Sequence, residues 1–470
     1  MLAKLTFFGA SRNVTGSCYL LETSDVRVLV DCGLYQERGY QDRNWQPFPF
    51  NPETLDAVFL THAHLDHCGL LPKLVRDGYK GKIFCTQATA EIAQIILLDA
   101  AHLQEEDAIY KAERHRREGH RGPYPELPLY TVRDAEAVAP HFGAVEYGSC
   151  ISVKDVVEGC YYEAGHVLGS ASIGININLD GERRRIIFSG DIGEPDRPII
   201  NDPAIFYEAD YVVIESTYGN RTHKEHENTD IQAQLRDCIN ETVRAGGNIV
   251  VPSFALERSQ EMLYHLNELF LRKEIPPITV FLDSPMAIRI TEVFKRHAEL
   301  FDREMMQRLR QGNSPFSFDN LKIVQTTEES KAINSTKRSA IIIAGSGMVT
   351  GGRIKHHLVN NLTRPESTVL FIGYQAQRTP GRHLLDGAKE VRLLGQTYPV
   401  RARVVKIDGF SAHTDREGLL AWLSDMRMPP RCVFVTHGEE TAATSFAEFL
   451  SKQTGWQTQV PGYQDTAMLA

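Results

Sequence analysis

No apolar stretch in this chain of 470 residues approaches the ~20 needed to cross a bilayer as a helix. Its first residues also lack a basic segment followed by an apolar one, so no secretory leader is expected. The eight cysteines (Cys18, Cys32, Cys68, Cys85, Cys150, Cys160, Cys238 and Cys432) are scattered, with no Cys-x-x-Cys pair. That spacing fits neither a zinc ribbon nor a thioredoxin-type site. It leaves reduced thiols in a cytoplasmic protein as the simplest expectation. Sequons such as Asn220-Arg221-Thr222 then read as chance matches. Positive charge is also short, with 51 Lys and Arg against 60 Asp and Glu and a net charge of -9. This argues against a protein that coats nucleic acid nonspecifically, while leaving room for a local basic groove. Internal repeats and low-complexity tracts are absent from the sequence. A hydrophobic content of 42% and a charged content of 24% are those of an ordinary globular protein, and the length suggests two or three domains.

What the chain does have is His62-Ala63-His64-Leu65-Asp66-His67, directly after the apolar run Ala57-Val58-Phe59-Leu60. Three imidazoles and a carboxylate are thereby aimed from one strand end at one region. Core packing does not ask for that, because such groups are costly to bury unless satisfied. The cluster suits a hydrolase that uses bound metal to make hydroxide at neutral pH.

Other candidate ligands also follow strand-like runs. Asp31 follows Val28-Leu29-Val30, Asp191 follows Ile186-Ile187-Phe188-Ser189-Gly190, and His437 follows Val433-Phe434-Val435-Thr436. His166 lies in Ala164-Gly165-His166-Val167-Leu168-Gly169. Carboxyl ends of strands gather in space, so these distant residues can share one site. Histidine with carboxylate suits Zn²⁺, with Mn²⁺ and Fe²⁺ ranking behind it. Asp31 has two readings: a turn aspartate, or a group that holds a ligand imidazole.

The N-terminal half reads mostly as short strands, including 5–8, 18–21, 26–30, 173–179 and 185–188, with helical patterns at 70–75 and 89–105. Residues 108–128 carry Lys111, Arg114, His115, Arg116, Arg117, His120 and Arg121. They read either as a solvated helical excursion or as a basic lip beside a site. From about Tyr218, strands alternate with helices: strands at 248–252, 278–282, 340–344 and 368–372, and helices at 255–271 and onward through Arg310. That is the pattern of a three-layer α/β unit with a parallel sheet. Two more strand-then-histidine segments, 404–413 and 433–437, look like a return to the first domain.

His62-x-His64-x-Asp66-His67, with Asp31, His166 and Asp191, resembles the signature of the metallo-β-lactamase superfamily. The second half narrows the resemblance. Ile214-Glu215-Ser216-Thr217-Tyr218-Gly219, Gly409-Phe410-Ser411-Ala412-His413-Thr414-Asp415 and Thr436-His437-Gly438-Glu439 resemble three motifs of the β-CASP nucleases. The stretches 251–261 and 344–348 match as well. The likeness extends to the endonuclease subunit of the cleavage and polyadenylation specificity factor and its bacterial homologues. It implies an αββα sandwich with an inserted three-layer α/β domain. The expected divisions are 1–218 for the first part of the lactamase domain, 219–399 for the insertion and 400–470 for the return. N-terminal KH domains of the archaeal type and the extra C-terminal domain of RNase J are not recognised, so the minimal bacterial form is expected.

The resemblance also implies roles. His62, His64 and His166 would bind one zinc ion. Asp66, His67 and His437 would bind a second, with Asp191 bridging. A histidine at 437 is the choice of the RNA-processing branch, so single-stranded RNA is the expected partner. A homodimer belongs to the same set of expectations, and a membrane does not.

The expected reaction is hydrolysis of an RNA phosphodiester, by internal cutting, 5′-end trimming or both. The departing oxygen then needs a proton. His413 is the candidate general acid, with Glu215 holding and charging its imidazole. Asp66 and Asp31 complete the expected catalytic set. Ser411 and His413 are candidate phosphate donors, and Arg378 is a candidate clamp. Gly345-Ser346-Gly347-Met348-Val349-Thr350-Gly351 departs from the dinucleotide fingerprint, so Gly347 is read in a turn close to an RNA phosphate. Two alternatives stay open: a thioesterase or lactonase of the same fold, and a non-catalytic RNA-binding subunit.

Overall fold

The computed structural model describes residues 3–119, 124–179, 181–222, 230–336 and 338–470. The chain divides into two compact units. One comprises Met1–Arg197, Asn201–Thr222 and Ala412–Ala470; the other comprises Pro198–Ile200 and His223–Ser411.

The first unit is built on two seven-stranded sheets. In one, Thr466–Leu469, Ala3–Gly9, Cys18–Glu22, Arg27–Val30, Ala57–Phe59, Lys82–Cys85 and Phe142–Ala144 lie side by side in that order. In the other the order is Thr458–Gln459, Cys432–Val435, Tyr211–Ile214, Glu182–Phe188, Ala171–Leu179, Val157–Glu163 and Cys150–Val153. Side chains alternate across a strand, so each sheet turns one apolar face inward. Phe7, Tyr19, Val28 and Phe59 from the first sheet share one core with Tyr161, Ile175, Phe188, Val213 and Phe434 from the second. On the outer face of the second sheet, Ile187, Val212, Ile214 and Val435 pack against Leu419, Trp422, Phe446 and Leu450 of the helices Arg416–Leu423 and Glu440–Thr454. The long helix Gln87–Glu118 packs beside the strand Phe142–Ala144 and buries Ile92, Ala93, Ile96 and Leu97. This is the expected αββα sandwich.

The second unit holds a six-stranded, all-parallel sheet in the order Leu321–Ile323, Thr279–Leu282, Ala340–Ala344, Ile249–Pro252, Thr368–Phe371 and Arg403–Lys406. Val250, Ile342, Val369 and Phe371 face the helices Ile354–Asn361 and Pro380–Leu385 through Ile354, Leu358 and Leu384. Val251, Ile341 and Ile343 are equally buried on the opposite face, as two-sided burial of a parallel sheet requires.

The two compact units divide after Thr222 and after Ser411, where the sequence divisions fall after 218 and 399; Arg403–Lys406 pairs in parallel with Thr368–Phe371 as the edge strand of the second unit's sheet. One expectation is corrected. The thiols are not all reduced: Cys150 and Cys160 are antiparallel partners, 4.0 Å apart at Cα, and form a disulfide. The other six cysteines are free and buried.

The basic segment is the end of the long helix, which continues to Glu118. Lys111 pairs with Asp107, Arg114 with Glu118 and His115 with Glu126. This is the solvated helical reading, with cations near the helix C-terminus where the backbone dipole favours them. His120 and Arg121 lie outside the described residues.

Phe188 is 1% exposed in the core between the sheets, and its strand leads to Asp191. Phe188→Ala should lower stability by about 3–5 kcal/mol in denaturant unfolding. Leu103→Ala, at a position 55% exposed, should change it by less than about 0.5 kcal/mol.

Candidate metal centre

The first sheet supplies Asp31 and the segment 61–67 just beyond the strand ends Val30 and Phe59. The second sheet supplies Asp191, Glu215 and His437 just beyond Phe188, Ile214 and Val435. His166 sits between the strands Val157–Glu163 and Ala171–Leu179, and His413 precedes the helix Arg416–Leu423. Strand order, not proximity in sequence, brings them together.

Close backbone approaches shape the loops. A Cβ on Gly33 would lie 1.7 Å from the Asp66 carbonyl oxygen, and one on Gly193 would lie 1.7 Å from that of Gly165. Gly193 in turn bridges His413 in antiparallel fashion. Asp31 (φ 58°) and His437 (φ 48°) occupy the left-handed region, which is strained for non-glycine residues. Both are tied by their neighbours: Asp31 N–H donates to the Phe59 carbonyl, and His437 N–H to that of Ala10.

Two donor clusters result. His62, His64, His166 and Asp191 have donor atoms within 4.8 Å of one another, and so do Asp66, His67 and His437. In the first, His62 Nε2 is 3.0 Å from His64 Nδ1, which is 3.3 Å from His166 Nε2. One shared proton cannot serve three converging nitrogens. Yet these separations are close to the ~3.3 Å edge of a tetrahedron with ~2.0 Å metal–nitrogen bonds. In the second cluster, His67 Nε2 is 3.1 Å from His437 Nε2, and Asp66 Oδ2 is 3.5 Å from His437 Nε2.

Asp191 lies between them. Its Oδ2 is 3.4 Å from His62 Nε2 and 3.5 Å from His166 Nε2; its Oδ1 is 3.3 Å from His67 Nε2 and 3.5 Å from His437 Nε2. Oδ1 is buried and has no hydrogen-bond partner. A buried carboxylate oxygen left so is costly. A cation beside it would satisfy it, and the donor chemistry fits a zinc-type ion.

Protonation states favour ligation in the first cluster. Burial pushes His62 down to about 3 and His64 to about 4, and lowers His166 as well, so all three are neutral lone-pair donors at pH 7. Burial also acts to lower His67 and His437, but the carboxylates around them, Asp191 foremost, raise both.

The imidazoles are held from behind. His67 Nδ1 donates to Asp31 Oδ2 at 2.7 Å, so Asp31 orients that imidazole. Thr61 donates to Asp31 from both its N–H and its hydroxyl. Its hydroxyl also lies 3.1 Å from His62 Nδ1. Thr217 Oγ1 lies 3.1 Å from His437 Nδ1, and His166 Nδ1 donates to the Ala412 carbonyl. Sequence reading missed Thr61 and Thr217, because a threonine has no spacing that betrays which imidazole it supports.

His413 Nδ1 contacts both oxygens of Glu215 at 3.1 Å, while Nε2 lies 3.9 Å from Asp191 Oδ2. Glu215 Oε1 also accepts from Ile192 N–H at 2.7 Å, which fixes the carboxylate. Burial acts to lower His413, but Glu215 and Asp191 outweigh it and push it up to about 9. Glu215 therefore favours the protonated imidazole, whose Nε2 lies on the side of Asp191.

The remaining candidates belong to the second unit. Ser411 is its last residue. Arg378 is exposed there at φ 65°. Gly347 is buried, and a Cβ on it would lie 2.6 Å from the Phe254 ring, so packing accounts for the glycine.

Comparison with known proteins decides the family. Residues 12–149 match the metallo-beta-lactamase superfamily, 259–384 the Beta-Casp domain, and 397–461 the Zn-dependent metallo-hydrolase RNA specificity domain. Ribonuclease TTHA0252 of Thermus thermophilus is 37% identical over 94% of this chain and 95% of its own. The chain belongs to the β-CASP family of the metallo-β-lactamase superfamily. Transcription termination factor FttA of Methanocaldococcus jannaschii is 31% identical over 97% of this chain and 70% of its own. An RNase J-like protein of the same organism is 30% identical over 97% of each. A crystal structure of a protein of unknown function from Enterococcus faecalis V583 shares the fold, with a TM-score of 0.53 at 12% identity over the whole of both chains. The β-CASP region covers the second unit's helices from Arg258–Leu271 through most of Pro380–Leu385, while the donor clusters lie in the first unit.

If Asp31 acts only by holding His67, Asp31→Ala should weaken metal binding by ~10–100-fold at the Asp66–His67–His437 cluster alone. Titration of the metal-free protein with Zn²⁺ checks this, with one weakened and one unchanged phase expected.

Proposed function

We propose that this chain is a zinc-dependent ribonuclease that hydrolyses RNA phosphodiester bonds. The observation that carries the proposal is the His413–Glu215 pair set against Asp191, where two donor clusters meet. Small-molecule hydrolysis has no need of that extra proton donor. Kinship with a named ribonuclease and the match to an RNA specificity domain support RNA as the substrate.

In this proposal His62, His64 and His166 would hold one zinc ion and Asp66, His67 and His437 another, with Asp191 standing between the two donor sets. Bound there, the ions supply charge neutralisation for the phosphodiester and lower the pKa of water towards neutrality. The chain does the rest. Asp31, Thr61 and Thr217 keep the ligand imidazoles aimed. Glu215 holds His413 by Nδ1, so Nε2 carries the proton inward. His413 delivers that proton to the departing oxygen as the phosphorus–oxygen bond breaks. Water and the phosphodiester become a phosphomonoester and an alcohol, and His413 regains its proton from solvent. The six free buried thiols support a cytoplasmic setting, with Cys150–Cys160 the exception. A homodimer remains part of the proposal and is read from the mass in solution.

Removing metal with a chelator should abolish RNA cleavage, and Zn²⁺ should restore it. Double-stranded DNA should be a poor substrate. His413→Ala should retain the metal content of the parent protein and lose ~10²–10⁴-fold in cleavage rate. Unchanged cleavage in that variant would sink the role of His413. Rapid thioester or lactone hydrolysis without RNA cleavage would sink the whole reading. Covalently closed circular RNA against linear RNA with a 5′-monophosphate separates internal cutting from end trimming.

A further inference from the structure

The chain continues from the motif that supplies Glu215 through Asn220 to Arg221, and the metal chemistry makes no use of this arginine. This segment is a tight turn, with Arg221 N–H donating to the Tyr218 carbonyl at 3.1 Å. The turn folds the arginine back on itself, and its guanidinium carbon lies 4.9 Å from the centre of the Tyr218 ring. The Tyr218 ring in turn meets the His413 ring edge to face, at 5.8 Å and 83°. A second anchor fixes the turn: Arg416 N–H donates to the Arg221 carbonyl at 3.2 Å. All these residues belong to the first unit.

Arg221 differs from Arg416 beside it, which pairs with Glu417 at 3.5 Å. Arg221 is exposed and makes no ion pair with a carboxylate among the described residues. An exposed guanidinium on an aromatic face, with no carboxylate partner among the described residues, keeps its charge for a ligand. That planar fork matches two oxygens of a phosphate. It stands one ring away from His413, within reach of a phosphate adjacent to the one being cleaved.

We propose that Arg221, seated on Tyr218, binds a backbone phosphate of the RNA neighbouring the scissile one. The inference rests on the ribonuclease reading and adds a substrate contact that fixes register. The contact reads charge, not base identity, so it should be indifferent to sequence.

The test uses the metal-loaded protein, its Arg221→Ala and Arg221→Lys variants, and a single-stranded RNA oligonucleotide. One phosphate at a time is replaced by an uncharged methylphosphonate. Arg221→Ala should raise KM roughly 10-fold, the usual scale for losing a hydrogen bond to a charged group. Metal content should stay the same, and kcat should be nearly unchanged. The slope of log KM against log salt should fall by ~0.7, the share of one phosphate contact on a single strand. Arg221→Lys should keep the salt slope and recover part of KM. One neutral linkage beside the cleavage point should weaken the parent protein by the same factor and leave Arg221→Ala unaffected. A variant with unchanged KM and salt slope, or one as sensitive to every neutral linkage as the parent, would overturn the contact. If the parent protein itself cleaves no RNA, the ribonuclease reading falls, and the substrate named here falls with it.

Discussion

The structure of the site depends on one buried carboxylate. Asp191 is 2% exposed, and each of its oxygens faces a different group of imidazoles. An isolated carboxylate in that position would be neutral or would not be tolerated. The surrounding nitrogens stabilise the charge in part and pull its pKa well below the usual carboxylate range. Oδ1 nonetheless lacks a hydrogen-bond donor. The sandwich therefore presents an anionic point enclosed by imidazoles, a combination that a cation would complete and that packing alone does not explain.

The fold delivers this point by joining two sheets. The first sheet brings Asp31, the 61–67 segment and their mutual bonds; the second brings Asp191, Glu215 and His437. Asp31, Asp191 and His437 stand just beyond buried strand ends, so their positions are set by the core between the sheets. A second tier, from Thr61, Asp31, Thr217 and the Ala412 carbonyl, selects which ring nitrogen faces the clusters. Rigid backing of this kind holds a reactive constellation in place before substrate arrives.

Much of this was legible in the sequence, for reasons that differ from residue to residue. The 62–67 hexapeptide is contiguous and chemically improbable as core, so it announced a metal centre. His166, Asp191 and His437 became readable only beside it, since each alone resembles an ordinary buried polar group. The pairing of His413 with Glu215, 198 residues apart, came through a family resemblance and has a geometric counterpart at 3.1 Å. The sheet that Arg403–Lys406 joins was not legible, because the strand looks the same whichever sheet it joins. Its partner is decided by parallel pairing with Thr368–Phe371. Cys150–Cys160 was not legible either, since cross-strand register brings the two together and no spacing rule marks it. Gly347 also has a packing reason that the sequence did not show, since the Phe254 ring leaves no room for a side chain.

The most direct test is the metal content of the purified protein and of Asp191→Ala, measured by elemental analysis beside RNA cleavage on the same samples. If Asp191 joins two zinc positions, the parent protein should carry two ions per chain. The variant should fail to retain that content, and its cleavage should be lost. Full metal content together with undiminished cleavage in Asp191→Ala would contradict the account.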